Sequence, residues 1–140
     1  MTAREALYDS NVIAAYLFEE EGRHKGARRV LSRHHSRAIS VISIHEIHTL
    51  SLRNGVEERF LRIKEDLNRL FDVLELTQGI CLRASRLRME FGIPEVDSLI
   101  LATAVEERFR NFYTFDRDFK DLDGERIEET FIHYIESSGV

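Results

Sequence analysis

The amino-acid sequence predicts an α/β fold: a mostly parallel sheet of about four to five strands with helices on both faces. Three observations predict it. Short β-branched or aromatic runs alternate along the chain with longer amphipathic segments. The segments between successive apolar runs are long enough to be helical crossovers, which parallel neighbours require. The 140 residues, 43% hydrophobic and 32% charged, have the composition of one globular domain that buries its own core, so residues 1–140 are read as a single domain.

Ala6-Leu7-Tyr8 is the first strand, and Ser10 to Glu20 the helix after it. Lys25 to His34 is a second helix, with Ala27, Val30 and Leu31 on one face. Ala38 to Ile42 is β-branched and reads as a strand, and the chain turns helical from Ile44. Val56, Phe60, Ile63, Leu67 and Leu70 recur at steps of three and four, the stripe of an amphipathic helix. Asp72 to Leu76 is the next strand, and Ile80, Ala84, Leu87 and Phe91 mark the next helix face. Gly92 and the sole proline, Pro94, read as one helix stopping and another starting. Glu95 to Phe109 is a helix whose apolar centre, Leu99-Ile100-Leu101-Ala102, marks it as buried. Phe112 to Phe115 is a strand, and Arg126 to Glu128 a short edge strand.

Several function classes are disfavoured. The longest apolar run, Val12 to Phe18, is far short of the roughly 20 residues a bilayer span needs. The first residues lead into no signal-peptide core, so a soluble cytoplasmic protein with no membrane partner is expected. Cys81 is the only cysteine, which excludes an internal disulfide or a Cys-rich zinc site; it reads as a buried small hydrophobe. His45 and His48 stand three apart, where the zincin pattern needs four. There is no Gly-x-Ser-x-Gly elbow and no Gly-rich phosphate loop. The net charge of −5 opposes bulk attraction to nucleic acid, yet Arg23 to Arg37 holds six Lys or Arg and no acid. Lys25, Arg29 and Arg33 there form one helical stripe, either a solvated face or a phosphate-binding one.

The chemistry is carried by acids at predicted strand ends. Asp9 follows the first strand, Glu46 lies just past the second, Asp97 sits near the start of the buried helix, and Asp116 follows the Phe112–Phe115 strand, with Asp118 two residues on. In a parallel sheet these ends lie on one side, where ligands of such sheets bind. Each acid also has a local reading. Asp9 serves as an N-cap, Ser43-Ile44-His45-Glu46 has the form of a capping box, Asp97 favours a helix dipole, and Asp116 suits a turn. A carboxylate at a helix start can do both jobs. Converging carboxylates repel, and a bound divalent cation removes that cost. An all-oxygen donor set without cysteine suits Mg²⁺ or Mn²⁺. An acid-cluster phosphatase with Asp9 as nucleophile would want a second Asp where Asn11 stands.

Four segments together resemble the PIN-domain ribonucleases, in particular VapC-type toxins of toxin–antitoxin pairs. They are Tyr8-Asp9-Ser10-Asn11, Ser43 to Ile47, Ile93 to Ala104, and Tyr113 to Phe119. The last two are the specific ones, and the resemblance covers nearly the whole chain. It implies a PIN-like fold and a metal-dependent endoribonuclease leaving a 5′-phosphate and a 3′-hydroxyl. Asp9, Glu46, Asp97 and Asp116 match the family's metal-site acids, Asp118 a supporting fifth acid, and Asn11 and Thr114 polar positions that hydrogen-bond the acids or a water. It also implies control by a small antitoxin and a homodimer. The remaining alternative is a PIN-like module that binds RNA or protein without cutting.

Overall fold

The computed structural model describes residues 4–138. Its elements run β1 (Arg4–Tyr8), α1 (Ser10–Leu17), α2 (His24–Ser32), β2 (Arg37–Ser40), α3 (Val41–Arg53), α4 (Glu57–Leu70), β3 (Asp72–Leu74), α5 (Gln78–Phe91), α6 (Glu95–Glu106) and β4 (Phe109–Thr114). A 3₁₀ turn (Arg117–Leu122) then leads to β5 (Arg126–Ile127) and β6 (Thr130–Tyr134). The strands form one sheet in the order β3-β2-β1-β4-β6-β5, parallel throughout except for the β5–β6 pair.

The expected α/β architecture holds, but the sheet has six strands rather than four to five. The strand not foreseen is β6, which pairs with β4 in register Asn111 with Phe131 through Thr114 with Tyr134. Two-residue hairpins are normally announced by Asn-Gly or a similar pair able to take positive φ. Here the β5–β6 connection is Glu128-Glu129, and Glu128 adopts φ 52° without any such residue type to signal it.

A second correction concerns β2. The β-branched residues Val41 and Ile42 belong to α3, not to the strand. Ser40 ends the strand and caps the helix, its hydroxyl accepting from the Ile42 amide at 3.2 Å. The capping box expected at Ser43–Glu46 therefore does not form. Ser43 is fully buried inside the helix, and Glu46 lies in its second turn. The punctuation at Gly92 holds: it closes α5 at φ 68°, and Pro94 is the N-cap of α6.

Alternation along the strands separates two cores. Ala6, Tyr8, Ile39 and Tyr113 face α1–α4, with Val12, Ile13, Val30, Phe60 and Leu67 packed over them. Leu7, Ala38, Phe112 and Ile132 face α5 and α6, with Ile80, Leu87, Ile100 and Leu101. Phe119 carries the 3₁₀ turn into this second core, edge-on to Phe112 at 5.3 Å between ring centres, and is fully buried. That anchor sets the turn bearing Asp116 and Asp118 onto the end of β4.

Phe119→Ala is expected to destabilise the protein by about 3–5 kcal/mol, the usual cost of emptying a buried aromatic site. Urea denaturation of the variant checks this; a loss under about 1 kcal/mol would show that the turn is held by something else.

Candidate active site

Central strands β1 and β4 end side by side, and the Asp9 amide donates to the Tyr113 carbonyl at 2.9 Å, just past the ladder. Asp9 is the N-cap of α1, one carboxylate oxygen accepting from the Ser10 amide at 2.7 Å. Its other oxygen, Oδ2, accepts from the Thr114 hydroxyl at 2.7 Å and from Asn11 Nδ2 at 3.4 Å. Thr114 Oγ1 accepts in turn from the Asp116 amide at 2.9 Å, and Asn11 Oδ1 from the Phe115 amide at 3.0 Å. Asp116 caps the 3₁₀ turn by accepting from the Asp118 amide at 2.9 Å. Asn11 and Thr114 thus tie the exit of β4 to the start of α1, and the acids are carried on that knot.

Asp97, in the first turn of α6, completes the convergence. One oxygen each from Asp9, Asp97 and Asp116 lies within 4.8 Å of the others. Glu46 reaches the same cleft from α3 but lies outside this triad. Its Oε1 accepts from the Ser10 hydroxyl at 2.5 Å, and Ser10 Oγ is also 2.8 Å from the buried Ser43 Oγ. The cleft holds about 210 Å³, with Ala14, Ile47 and Leu50 as an apolar wall and Arg53 at the end of α3.

The electrostatics follow from this crowding. Asp9 is only 3% exposed. Burial pushes its carboxyl up to about 7; the Thr114 and Ser10 hydrogen bonds oppose the rise, and the charges of Glu46 and Asp116 add to it. Asp97 is pushed up to about 8, first by burial and then by the charges of Asp9 and Asp116. Asp118, at the rim, is raised by partial desolvation and by Asp116. The site is short of positive charge, which a divalent cation would supply. The donors are all carboxylate oxygens, one of them deeply buried, which fits a hard ion such as Mg²⁺ or Mn²⁺.

Other expected residues stay outside. Lys25, Arg29 and Arg33 are exposed along α2 and its C-cap, and none lines the acidic cleft. His45 is exposed, and His48 turns away to Glu57 at 2.7 Å and stacks on Phe60, so the pair forms no metal site. Cys81, expected to be buried, is exposed on α5, because the face of that helix that packs is set by Ile80, Ala84 and Leu87. Ser10 and Ser43 enter the sequence reading only as members of motif segments, with no role at the cleft, and Arg53 does not enter it. A signal existed: Ser43, Glu46, Leu50 and Arg53 recur at steps of three and four, one helix face.

A PIN-domain family model matches residues 6–125. A toxin–antitoxin complex from Klebsiella pneumoniae contains a similar chain, 26% identical, with a TM-score of 0.71 over 94% of this chain and 100% of that one. The sarcin–ricin loop-cleaving toxin VapC20 of Mycobacterium tuberculosis is 21% identical, with a TM-score of 0.71 over 84% of this chain and 94% of that one. VapBC-5 of the same organism includes a chain 20% identical, with a TM-score of 0.65 over 94% and 99%. Comparison with curated proteins gives no significant match.

The shifted acids set a pH dependence. Asp9 and Asp97 hold protons more tightly in the fold than in the unfolded chain, where a carboxyl titrates near 4. Their contribution to stability is therefore complete below about pH 4 and is lost as pH rises through about 7 to 8. In EDTA the melting temperature is expected to fall between pH 6 and pH 9. Saturating Mn²⁺ is expected to raise it and to flatten that fall, because the ion binds the folded, ionised cluster. Differential scanning calorimetry across this range checks both, and identical curves with and without Mn²⁺ would remove the metal site.

Proposed function

The chain belongs to the PIN-domain family, and from that premise we propose that it is a divalent-metal-dependent endoribonuclease acting as the toxin of a toxin–antitoxin pair. The observation that carries the reading is the convergence of Asp9, Asp97 and Asp116 within 4.8 Å at the carboxyl edge of a parallel sheet. Kinship with chains from toxin–antitoxin complexes supports the toxin role and a small antitoxin as partner. A homodimer and a cytoplasmic location belong to the same reading.

Asp9, Asp97 and Asp116 would hold the ion, with Glu46 beside them. A bound Mg²⁺ or Mn²⁺ supplies Lewis acidity toward a phosphodiester oxygen and lowers the pKa of water. The chain's own residues do the rest. Thr114 and Asn11 fix the rotamer of Asp9, so that its buried carboxylate needs no reorganisation on binding. Ser10 donates to Glu46 and holds that carboxylate at the cleft, where it orients a water for in-line attack on phosphorus. The P–O3′ bond breaks, leaving a 5′-phosphate and a 3′-hydroxyl. The apolar wall of Ala14, Ile47 and Leu50 limits bulk water around the acids. Asp9 has both carboxylate oxygens engaged by Ser10 and Thr114, a poor arrangement for a phosphatase nucleophile. A binding module without turnover would have no use for four acids held in mutual repulsion.

Asp9→Asn and Asp97→Asn are each expected to lower cleavage of a mixed-sequence RNA in Mn²⁺ by about 100- to 1,000-fold. Their metal-free melting temperatures at pH 8 should stay equal to or rise above that of the parent, since one repelling charge is gone. Full cleavage by either variant at matched metal would overturn the assignment. Glu46→Gln is expected to lower kcat by about 100-fold or more, while the Mn²⁺-induced rise in melting temperature persists. Loss of that rise would make Glu46 a direct ligand instead.

A further inference from the structure

Beside the acidic cleft lies a second cavity, of about 390 Å³, lined by Arg23, Phe115, Arg117, Lys120 and Tyr134, with Glu136 its only acid among the described residues. It sits at the same edge of the sheet, where β4 ends at Thr114 and β6 at Tyr134. The two sites are joined through three consecutive residues. The Asp116 carboxylate faces the acid cleft, while Phe115 and Arg117 on either side of it line the cavity.

The cavity is built from held and free groups. The guanidinium of Arg23 lies 5.2 Å from the centre of the Phe115 ring, and its Nε donates to Ser137 Oγ at 3.0 Å. Phe115 itself is buried, so Arg23 and Phe115 make a fixed floor. Tyr134 is partly buried, its strand end secured by the amide's hydrogen bond to Asp123 Oδ1 at 2.9 Å. Arg117 and Lys120 are exposed on the 3₁₀ turn, and neither forms an ion pair among the described residues. In a protein of net charge −5, the lining of this cavity carries three cations, Arg23, Arg117 and Lys120, against the single acid Glu136.

We propose that this cavity is a strand-binding subsite for single-stranded RNA. Arg117 and Lys120 take phosphates next to the bond presented to the acids, and the Tyr134 ring takes a base. Alternating anionic phosphates and flat bases are what paired cations and an aromatic ring recognise, without regard to sequence. The inference rests on the ribonuclease reading for the identity of the polymer. It extends that reading to Arg117, Lys120 and Tyr134, none of which belongs to the Lys25, Arg29 and Arg33 stripe. The distance along the chain is short: Arg117 follows Asp116 directly, so a phosphate held there stands one residue from the acid cluster.

The test is fluorescence anisotropy with a labelled twelve-nucleotide single-stranded RNA, in Mg²⁺, on the Asp97→Asn background so that the probe stays intact. Arg117→Gln/Lys120→Gln is expected to weaken binding and to lower the log–log salt slope by about 1.4, at roughly 0.7 per phosphate contact for single strands. Tyr134→Leu is expected to weaken binding by about tenfold with the slope unchanged, as loss of stacking does. Arg62→Gln/Lys64→Gln, on α4 toward the opposite edge of the sheet, is the charge-matched control and should leave the slope within about 0.3 of the parent. An unchanged slope in the Arg117/Lys120 variant, an equal drop in the α4 control, or no measurable RNA binding by the parent at low salt would each overturn the subsite. Cleavage by the wild-type chain is scored separately, so a protein that binds through this cavity but does not cut defeats only the nuclease reading. One that cuts RNA but keeps its slope in the double variant defeats only the subsite.

Discussion

The structure turns on one buried carboxylate. Asp9 ends the central strand β1 almost out of reach of solvent, where an ionised group is costly unless it is hydrogen-bonded or paired. Three neighbours are arranged around that requirement. The Ser10 amide makes Asp9 a helix cap, Thr114 brings the end of β4 to it, and Asn11 bridges back to the Phe115 amide. The hydrogen bonds that meet this cost also align two strand ends and a helix start. Asp116 then enters the site because its amide is tied to Thr114, not because it contacts Asp9 through a bond of its own.

Those hydrogen bonds go only part of the way, since desolvation still dominates at both Asp9 and Asp97. A fold that places one acid under another's charge trades stability for a cluster that a bound cation would relieve. The surrounding packing must tolerate that trade. Two dense cores, one on each face of the sheet, do so, and Phe119 clamps the turn that carries Asp116 and Asp118 into the second of them. Ser10 has a double role within this arrangement. Its amide serves Asp9 and its hydroxyl serves Glu46, so one residue sets the relative position of acids from β1 and α3.

Much of this was legible in the sequence because local signals and tertiary demands agree. Asp9 is both a cap and a site residue, so reading it as either places it correctly. The apolar centre of α6 fixes the register of Asp97, and the Gly92–Pro94 punctuation fixes where that helix starts. Legibility failed where tertiary packing overrode propensity. Val41 and Ile42 favour strand, yet the Ser40 cap and burial of Ser43 and Ile47 make them the first turn of α3. The β5–β6 hairpin turns on Glu128 at positive φ, a conformation its residue type does not advertise. Arg53 is legible only through Glu46: it lies on the same face of α3 as Glu46 and Leu50, at steps of four and three, so its place at the cleft follows once Glu46 is placed there. Cys81 shows the same limit on a helix surface, where one step of about 100° separates its exposed position from buried Ile80.

The distribution of charge closes the physical case. An acidic protein that acts on a polyanion must keep its acids from repelling the substrate before a cation arrives. Here the carboxylates are confined to a small recess, half-hidden by burial and neutralised in part by raised affinity for protons. Cations accompany that recess: Arg53 of α3 lines it, and Arg117 with Lys120, on the turn after β4, line the neighbouring cavity. At physiological salt the screening length is about 8 Å, so an approaching phosphate responds to the nearest charges and not to the net charge of the molecule. On the proposed reading, cations beside the acid recess would let a strand be held by its neighbouring phosphates. Under the proposed nuclease reading, only the bond between them would be left to meet the carboxylates, where a bound divalent ion would reconcile the strand's charge with that of the acids.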